Sequence, residues 1–108
     1  MAELASFLAT VHGRVQGVFF RDFVRMHAEG LGLTGYVRNL PGRVVEVHAE
    51  GEKEKLLQLL RHLELGPPRA RVDKVDVNWS EYSGSFGHFQ IRYCLLYTSP
   101  SPRDRTRS

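Results

Sequence analysis

The residues best able to do chemistry lie in one short run near the start of the chain, residues 11–21, with the sequence VHGRVQGVFFR. Its two glycines, Gly13 and Gly17, allow backbone conformations that point N–H groups at a bound ligand. A helical pattern begins where the run ends, so the free N–H groups and partial positive charge of a helix N-terminus are added. We therefore expect this run to bind an anion such as phosphate, with paired hydrogen bonds from the guanidinium of Arg21.

Around this run, the spacing of apolar residues predicts seven secondary-structure elements. Glycine and proline at residues 32, 41–42 and 66–68 mark the ends of helices and a hairpin turn. The predicted strands cover residues 5–12, 35–40, 44–50, 72–81 and 88–93, and the predicted helices cover 20–31 and about 52–65. This order, β-α-β-β-α-β with an extra C-terminal strand, indicates an α+β, ferredoxin-like sandwich. We expect a mainly antiparallel sheet with both helices on one face.

The composition is that of an ordinary globular domain. The chain has 108 residues, of which 42% are hydrophobic and 25% charged, and this length predicts one domain. The one cysteine, Cys94, allows no internal disulfide and fits a reducing compartment. We find neither a secretory signal pattern nor an apolar run of membrane-spanning length, and expect a cytoplasmic protein without a membrane partner.

The last residues differ from the rest of the chain. Residues 94–108 are rich in Ser, Pro and Arg and have no apolar period, so we predict a domain over residues 1–93 and a disordered tail that does not look native. A natural disordered tail is the alternative. The tail holds three arginines and one aspartate, a net +2 of the total +3, which leaves +1 for residues 1–93. Such a nearly neutral domain is poor evidence for a nucleic-acid partner.

Two motifs in the chain are similar to those of a known family. Residues 11–21 fit V-x-G-x-V-Q-G-V-x-F-R, and residues 35–41 read GYVRNLP. With these motifs, residues 5–93 resemble the acylphosphatases, small cytosolic enzymes that hydrolyse the carboxyl–phosphate bond. One position departs from the family pattern: the hairpin turn has its glycine at Gly42, one place early, and Arg43 stands where the family has glycine. A different residue of the turn must then adopt a positive φ.

The resemblance implies an enzyme, an acylphosphatase, and a role for each matched residue. Arg21 would bind the phosphoryl group, and Asn39 would orient the attacking water. Backbone N–H groups of the loop would hold the phosphate, and this set comprises Arg14, Val15, Gln16, Gly17, Val18, Phe19 and Phe20. The implied partner is a small-molecule acyl phosphate; no cofactor or metal is implied, and a monomer is the default expectation.

Physical chemistry supports these roles. Phosphoryl transfer to water develops charge on the equatorial oxygens, which positioned donors stabilise. An acyl phosphate has a carboxylate leaving group, so neither a strong base nor a metal is required. The Asn39 amide is neutral and can only orient water. The sequence shows no pocket for the acyl group, and we expect that end of the substrate to face solvent.

Two alternatives remain at this point. RNA-recognition domains share the β-α-β-β-α-β order, so the chain could be a non-catalytic nucleic-acid-binding module. Residues 44–50 lack the stacking aromatics of such modules, and the nearly neutral charge also disfavours that function. The chain could also be an acylphosphatase-like domain of a larger carbamoyl-phosphate-processing protein.

Overall fold

The computed structural model describes residues 3–16 and 19–92, and its elements follow the predicted order. They are β1 (Leu4–Arg14), α1 (Phe20–Gly30), β2 (Thr34–Leu40), β3 (Val44–Glu52), α2 (Lys53–Leu65), β4 (Arg71–Ser80) and β5 (Phe89–Arg92). The predicted domain boundary at residue 93 and the predicted tail 94–108 lie outside the described residues.

The strands form one mixed sheet in the order β4-β1-β3-β2-β5. All neighbouring pairs are antiparallel except β2 and β5, which run parallel. Each helix connects two strands that run in the same direction with one strand between them: β3 lies between β1 and β2, and β1 lies between β3 and β4. This double split β-α-β arrangement confirms the predicted ferredoxin-like fold, with β5 as the extra strand.

The core lies between one face of the sheet and the two helices. Alternate residues of β1 and β3 are buried there, because side chains of a strand point to opposite faces in turn. The helices contribute residues spaced three or four apart, namely Phe20, Val24 and Ala28 of α1 and Leu56, Leu59 and Leu63 of α2. Burial of each such leucine stabilises the fold by about 1.5–3 kcal/mol. No helix in the described ranges has the length and apolar content needed to span a membrane.

Gly13 allows β1 and β4 to approach closely at the point where the phosphate-binding run begins. The register between the two strands shifts between His12 and Gly13, and Gly13 adopts a φ of 132°. A Cβ atom at this position would collide with the backbone carbonyl of Arg71. Gly13 is therefore required by the bulge that ends the regular part of β1.

Residues 81–88 cross the face of the sheet that the helices leave open. Ser83 and Gly84 donate hydrogen bonds to Glu50 of β3. The ring of Phe86 packs against the rings of Tyr36 and His48, at centroid distances of 6.0 and 5.0 Å. This segment, which we call the 81–88 strap, thus covers part of the open face.

Candidate functional site

The site lies at the edge of the sheet where β1 and β2 both end. These strands run in the same direction because each is antiparallel to β3, so their C-terminal ends meet at one edge. Asn39, near the end of β2, pairs with Val45, which is buried under the helices. Paired residues share a face, so Asn39 lies on the helix side of the sheet, at the edge where α1 begins.

The residue at the N-cap position of α1, Phe19, supplies no side-chain cap. Phe19, the residue before the helix, adopts a left-handed conformation with φ 59° and ψ 26° and makes no side-chain hydrogen bond to the helix. Its carbonyl oxygen accepts a hydrogen bond from the N–H of Phe23 at 3.0 Å. A residue with a Cβ adopts this conformation only at some cost, and such outliers concentrate at functional sites. The uncapped N–H groups and the helix dipole favour an anion here.

A cavity of about 240 Å³ lies at this helix N-terminus. Its lining residues come from the loop, from the start of α1 and from the end of β2, and they are Val15, Phe19, Phe20, Arg21, Asp22 and Asn39. Val15 and Phe20 are buried, whereas 78% of the surface of Phe19 is exposed. The lining therefore combines apolar residues with three polar ones, the half-buried Arg21 and Asn39 and the exposed Asp22.

Asn39 carries the most unusual polar atom of the site. Its Oδ1 is buried but has no hydrogen-bond partner among the described residues. Buried polar atoms are nearly always paired, because an unpaired one costs about 1–3 kcal/mol. Asn39 also lines the cavity at α1, and a buried acceptor without a partner is a candidate to bind a water molecule or a ligand.

The side chain of Gln16 connects the loop to the β2–β3 hairpin. Its Nε2 donates hydrogen bonds to the carbonyl oxygens of Leu40, at 2.9 Å, and Val44, at 2.8 Å. These two residues flank the hairpin turn and follow Asn39 closely in the chain. These hydrogen bonds thereby connect residue 16, just after β1, to the hairpin whose first strand carries Asn39.

The structure brings together most, but not all, of the predicted site residues. Arg21, Asn39, Val15, Phe19 and Phe20 line the cavity at α1. Arg14 and Gln16 line a neighbouring cavity together with Gly13, Val15 and Arg43. The predicted phosphate-binding residues Gly17 and Val18 lie outside the described residues.

Two lining residues, Asp22 and Arg43, were not among the predicted site residues. Asp22 stands beside Arg21 in the first helical turn, and its Oδ1 lies 3.9 Å from Nη2 of Arg25. Arg43 belongs to the hairpin turn, where both Gly42 and Arg43 adopt positive φ, 88° and 63°. The glycine shift seen in the sequence was the signal for this unusual turn. It did not show that the Arg43 side chain lines a cavity.

A second buried polar group, Glu50, lies on the opposite face of the sheet and is fully paired. Its Oε2 accepts hydrogen bonds from the hydroxyl of Ser83 at 2.7 Å and the N–H of Ser83 at 3.2 Å, and its Oε1 accepts one from the N–H of Gly84 at 3.0 Å. Burial alone raises the pKa of a carboxyl group, but these hydrogen bonds outweigh it and lower the pKa of Glu50. Glu50 is thus a charged anchor for the 81–88 strap.

Comparison with known proteins agrees with the motifs and the fold. The acylphosphatase family profile matches residues 7–91. An acylphosphatase of Dehalococcoides mccartyi is 54% identical over 86 residues, which cover 79% of this chain and 94% of that protein.

Solved structures give the same result. The crystal structure of acylphosphatase from Bacillus subtilis superposes with a TM-score of 0.80 at 35% identity, covering 84% of this chain and all of that one. The structure of an acylphosphatase from Coxiella burnetii superposes with a TM-score of 0.78 at 40% identity, covering 82% of this chain and 93% of that one. With both motifs, the sheet order and these similarities in agreement, the chain belongs to the acylphosphatase family and is a hydrolase.

Proposed function

We propose that this protein hydrolyses small acyl phosphates to a carboxylate and inorganic phosphate without a metal ion. The observation that carries the proposal is that Asn39, whose buried Oδ1 has no hydrogen-bond partner among the described residues, lines the same cavity as Arg21 and the first residues of α1. One cavity thus combines donors for a phosphoryl group with an acceptor for water. Membership of the acylphosphatase family identifies the bond that is cleaved as the carboxyl–phosphate bond.

In this proposal, the phosphoryl group is bound by Arg21 and by backbone N–H groups at the start of α1. The guanidinium offers two parallel N–H donors to phosphoryl oxygens, and the first turn of α1 adds N–H groups with the positive end of its dipole. The loop that precedes α1 would supply further N–H groups, as the family motif implies. Charge on the equatorial oxygens grows in the transition state, so these donors stabilise it more than the ground state.

Asn39 would place the nucleophile. Its Oδ1 accepts a hydrogen bond from a water molecule, which leaves an oxygen lone pair to face phosphorus. The water oxygen bonds to phosphorus as the bond between phosphorus and the acyl oxygen breaks, and the carboxylate leaves with the electron pair. The amide cannot take the proton of the water, so that proton passes to a phosphoryl oxygen of the substrate.

The nature of the leaving group explains why these few groups suffice. A carboxylate is stable as an anion at neutral pH and leaves without protonation. A stable phosphate ester would instead expel an alkoxide, which needs a general acid or a metal ion. The proposed site therefore selects activated phosphates over esters.

Nucleic-acid binding is disfavoured by the open face of the sheet. A stacking platform needs aromatic rings whose faces are accessible to bases. The guanidinium of Arg92 lies 4.3 Å from the centre of the Tyr36 ring, and Phe86 of the strap packs edge-on against His48. The hydroxyl of Tyr36 also donates to Oε1 of Glu46 at 2.9 Å. Tyr36, His48 and Phe86 are therefore already engaged with one another and with charged side chains.

We further propose that the protein acts as a cytoplasmic monomer. A single cysteine in 108 residues fits a reducing compartment. Size-exclusion chromatography with light scattering would test the monomer, with a mass near 12.3 kDa as the expected result.

The activity is tested with benzoyl phosphate in the presence of EDTA, with phenyl phosphate as the unactivated comparator. We expect rapid release of phosphate from benzoyl phosphate that EDTA does not slow, and no comparable release from phenyl phosphate. Loss of activity in EDTA, or equal rates on both compounds, would overturn the proposed mechanism.

A further inference from the structure

A second cavity lies beside the proposed catalytic cavity. Its volume is about 380 Å³, and its lining residues are Gly13, Arg14, Val15, Gln16 and Arg43. Val15 lines both cavities, so they share one wall. The two cavities therefore adjoin at Val15.

The second cavity has two arginines among its lining residues. Arg14 and Arg43 are both exposed, and none of the lining residues is acidic. Among residues 3–16 and 19–92, neither guanidinium forms an ion pair, whereas Arg38 is held by Glu46 at 2.7 Å and Arg71 lies 3.4 Å from Asp73. Both guanidinium groups are thus available to an anion from solution.

Arg43 is fixed in place at a conformational cost. Its φ of 63° lies in the left-handed region, which costs a residue with a Cβ roughly 1–2 kcal/mol relative to glycine. The two hydrogen bonds of Gln16 to Leu40 and Val44 hold both ends of the turn against the loop. The turn that carries Arg43 is therefore held next to Gln16 by hydrogen bonds to the residues that flank the turn.

We infer that the second cavity binds a carboxylate at the far end of the acyl group, with Arg14 and Arg43 as its cationic partners. This inference rests on the proposed function and names its substrate class: monoacyl phosphates of dicarboxylic acids. Guanidinium groups match the planar carboxylate with paired hydrogen bonds. The expectation that the acyl end faces solvent is then replaced by a specific subsite.

The test compares succinyl phosphate with butyryl phosphate, which have the same chain length and differ in the terminal carboxylate. For the wild-type protein at low salt, we expect kcat/KM for succinyl phosphate to exceed that for butyryl phosphate by about threefold to tenfold. In 1 M salt, where the Debye length is about 3 Å, this ratio should approach one.

Substitutions separate the charge of Arg43 from its backbone conformation. Arg43→Gln should lower the succinyl-to-butyryl ratio by about threefold, chiefly through KM for succinyl phosphate. Arg43→Gly removes the charge and relieves the backbone strain, and should lower the ratio equally. Arg43→Lys, which keeps the positive charge, should retain part of the preference for succinyl phosphate. Arg61→Gln removes an exposed charge from α2 and should leave the ratio at the wild-type value.

The outcomes distinguish this inference from the proposed function. An unchanged ratio in Arg43→Gln, or an equal fall for both substrates, would overturn the carboxylate subsite while leaving the hydrolase intact. A folded wild-type protein that hydrolyses neither compound above the spontaneous rate would overturn the proposed function itself.

Discussion

The two faces of the sheet each carry a buried polar side chain, and the two side chains differ in their hydrogen bonding. On the open face, the carboxylate of Glu50 is 2% exposed and accepts three hydrogen bonds from Ser83 and Gly84. On the helix face, the buried Oδ1 of Asn39 has no partner among the described residues. Both groups sit on neighbouring strands of one rigid sheet, so the difference lies in what surrounds them rather than in the fold.

The difference separates a stabilising group from one suited to chemistry. The carboxylate of Glu50 already accepts three hydrogen bonds from the 81–88 strap. A substrate or water molecule would have to displace the strap to reach it. Asn39 instead lines a cavity of about 240 Å³ with Arg21, and its Oδ1 has no hydrogen-bond partner among the described residues. We expect substitutions at the first group to change the free energy of unfolding and substitutions at the second site to change the rate.

The largest effect is expected for Arg21→Ala. Loss of one positioned donor to the developing charge should lower kcat/KM for benzoyl phosphate by about 10²–10³-fold. Arg61→Ala is the matched control, because Arg61 is an exposed arginine of the other helix, α2, and does not line the cavity. Equal activities of the two variants would show that the cavity at α1 is not the catalytic site.

A stability effect of about 1–3 kcal/mol is expected for Glu50→Ala, since the buried donors of Ser83 and Gly84 lose their acceptor. Chemical denaturation would measure the change, and kcat/KM at 25 °C should stay near the wild-type value. Glu54→Ala, at an exposed position in the first turn of α2, controls for loss of a carboxylate. A large loss of activity in the folded Glu50→Ala protein would contradict the assignment of Glu50 to stability rather than catalysis.

The same carboxylate gives a pH dependence with a definite sign. Because its folded-state pKa is lowered from 4.5, Glu50 stabilises the fold above that value, and this contribution is lost as pH falls through the lowered pKa. Denaturation midpoints measured between pH 7 and pH 3 should therefore fall more steeply for the wild type than for Glu50→Ala. Parallel curves would contradict the role of Glu50 as a charged anchor.

A smaller effect is expected for Gln16→Leu. This change removes both hydrogen bonds from the loop to the hairpin, so the loop and Asn39 are no longer fixed relative to each other. We expect kcat/KM for benzoyl phosphate to fall by about tenfold, since small misplacements of reacting groups slow catalysis strongly. Gln58→Leu on the exposed side of α2 is the control. Wild-type activity in Gln16→Leu would exclude a positioning role.

The smallest effect concerns the contact between the helices. The rings of His27 and His62 stack at a centroid distance of 3.8 Å. The pKa of His27 is lowered, mainly by burial and to a lesser extent by charge repulsion from His62. The unfolded chain binds this proton more readily, so stability falls as pH drops below 6.5. Between pH 8 and pH 5, the midpoint of thermal unfolding should decline less for His27→Leu than for the wild type. His88→Gln, which replaces an exposed ring, should behave like the wild type. Identical slopes for all three proteins would rule out this contribution.

The fold was accessible from sequence because its signals are local. Alternation in residues 5–12 and 44–50 and the leucine spacing of α2 depend only on neighbouring residues, and each predicted element is present. The bulge at Gly13 was not predicted, because the need for glycine arises from the carbonyl of Arg71, which lies far along the chain.

The candidate site was accessible only in part. Arg21 and Asn39 could be named from the motifs, and the structure places both on one cavity. The contacts of Gln16 with the hairpin and of Glu50 with residues 83 and 84 could not be predicted, because they depend on strand register and on the path of a loop. The cavity beside Arg43 likewise depends on how the turn packs against the loop.

The most direct test of the account measures kcat/KM for benzoyl phosphate and the free energy of unfolding together for Asn39→Ala. We expect kcat/KM to fall by about 10²-fold, because the water is no longer oriented. The free energy of unfolding should stay within about 0.5 kcal/mol of the wild type or increase, because a buried acceptor without a partner is removed. Wild-type activity, or a loss of stability as large as that of Glu50→Ala, would contradict the claim that Asn39 is left unpaired for catalysis.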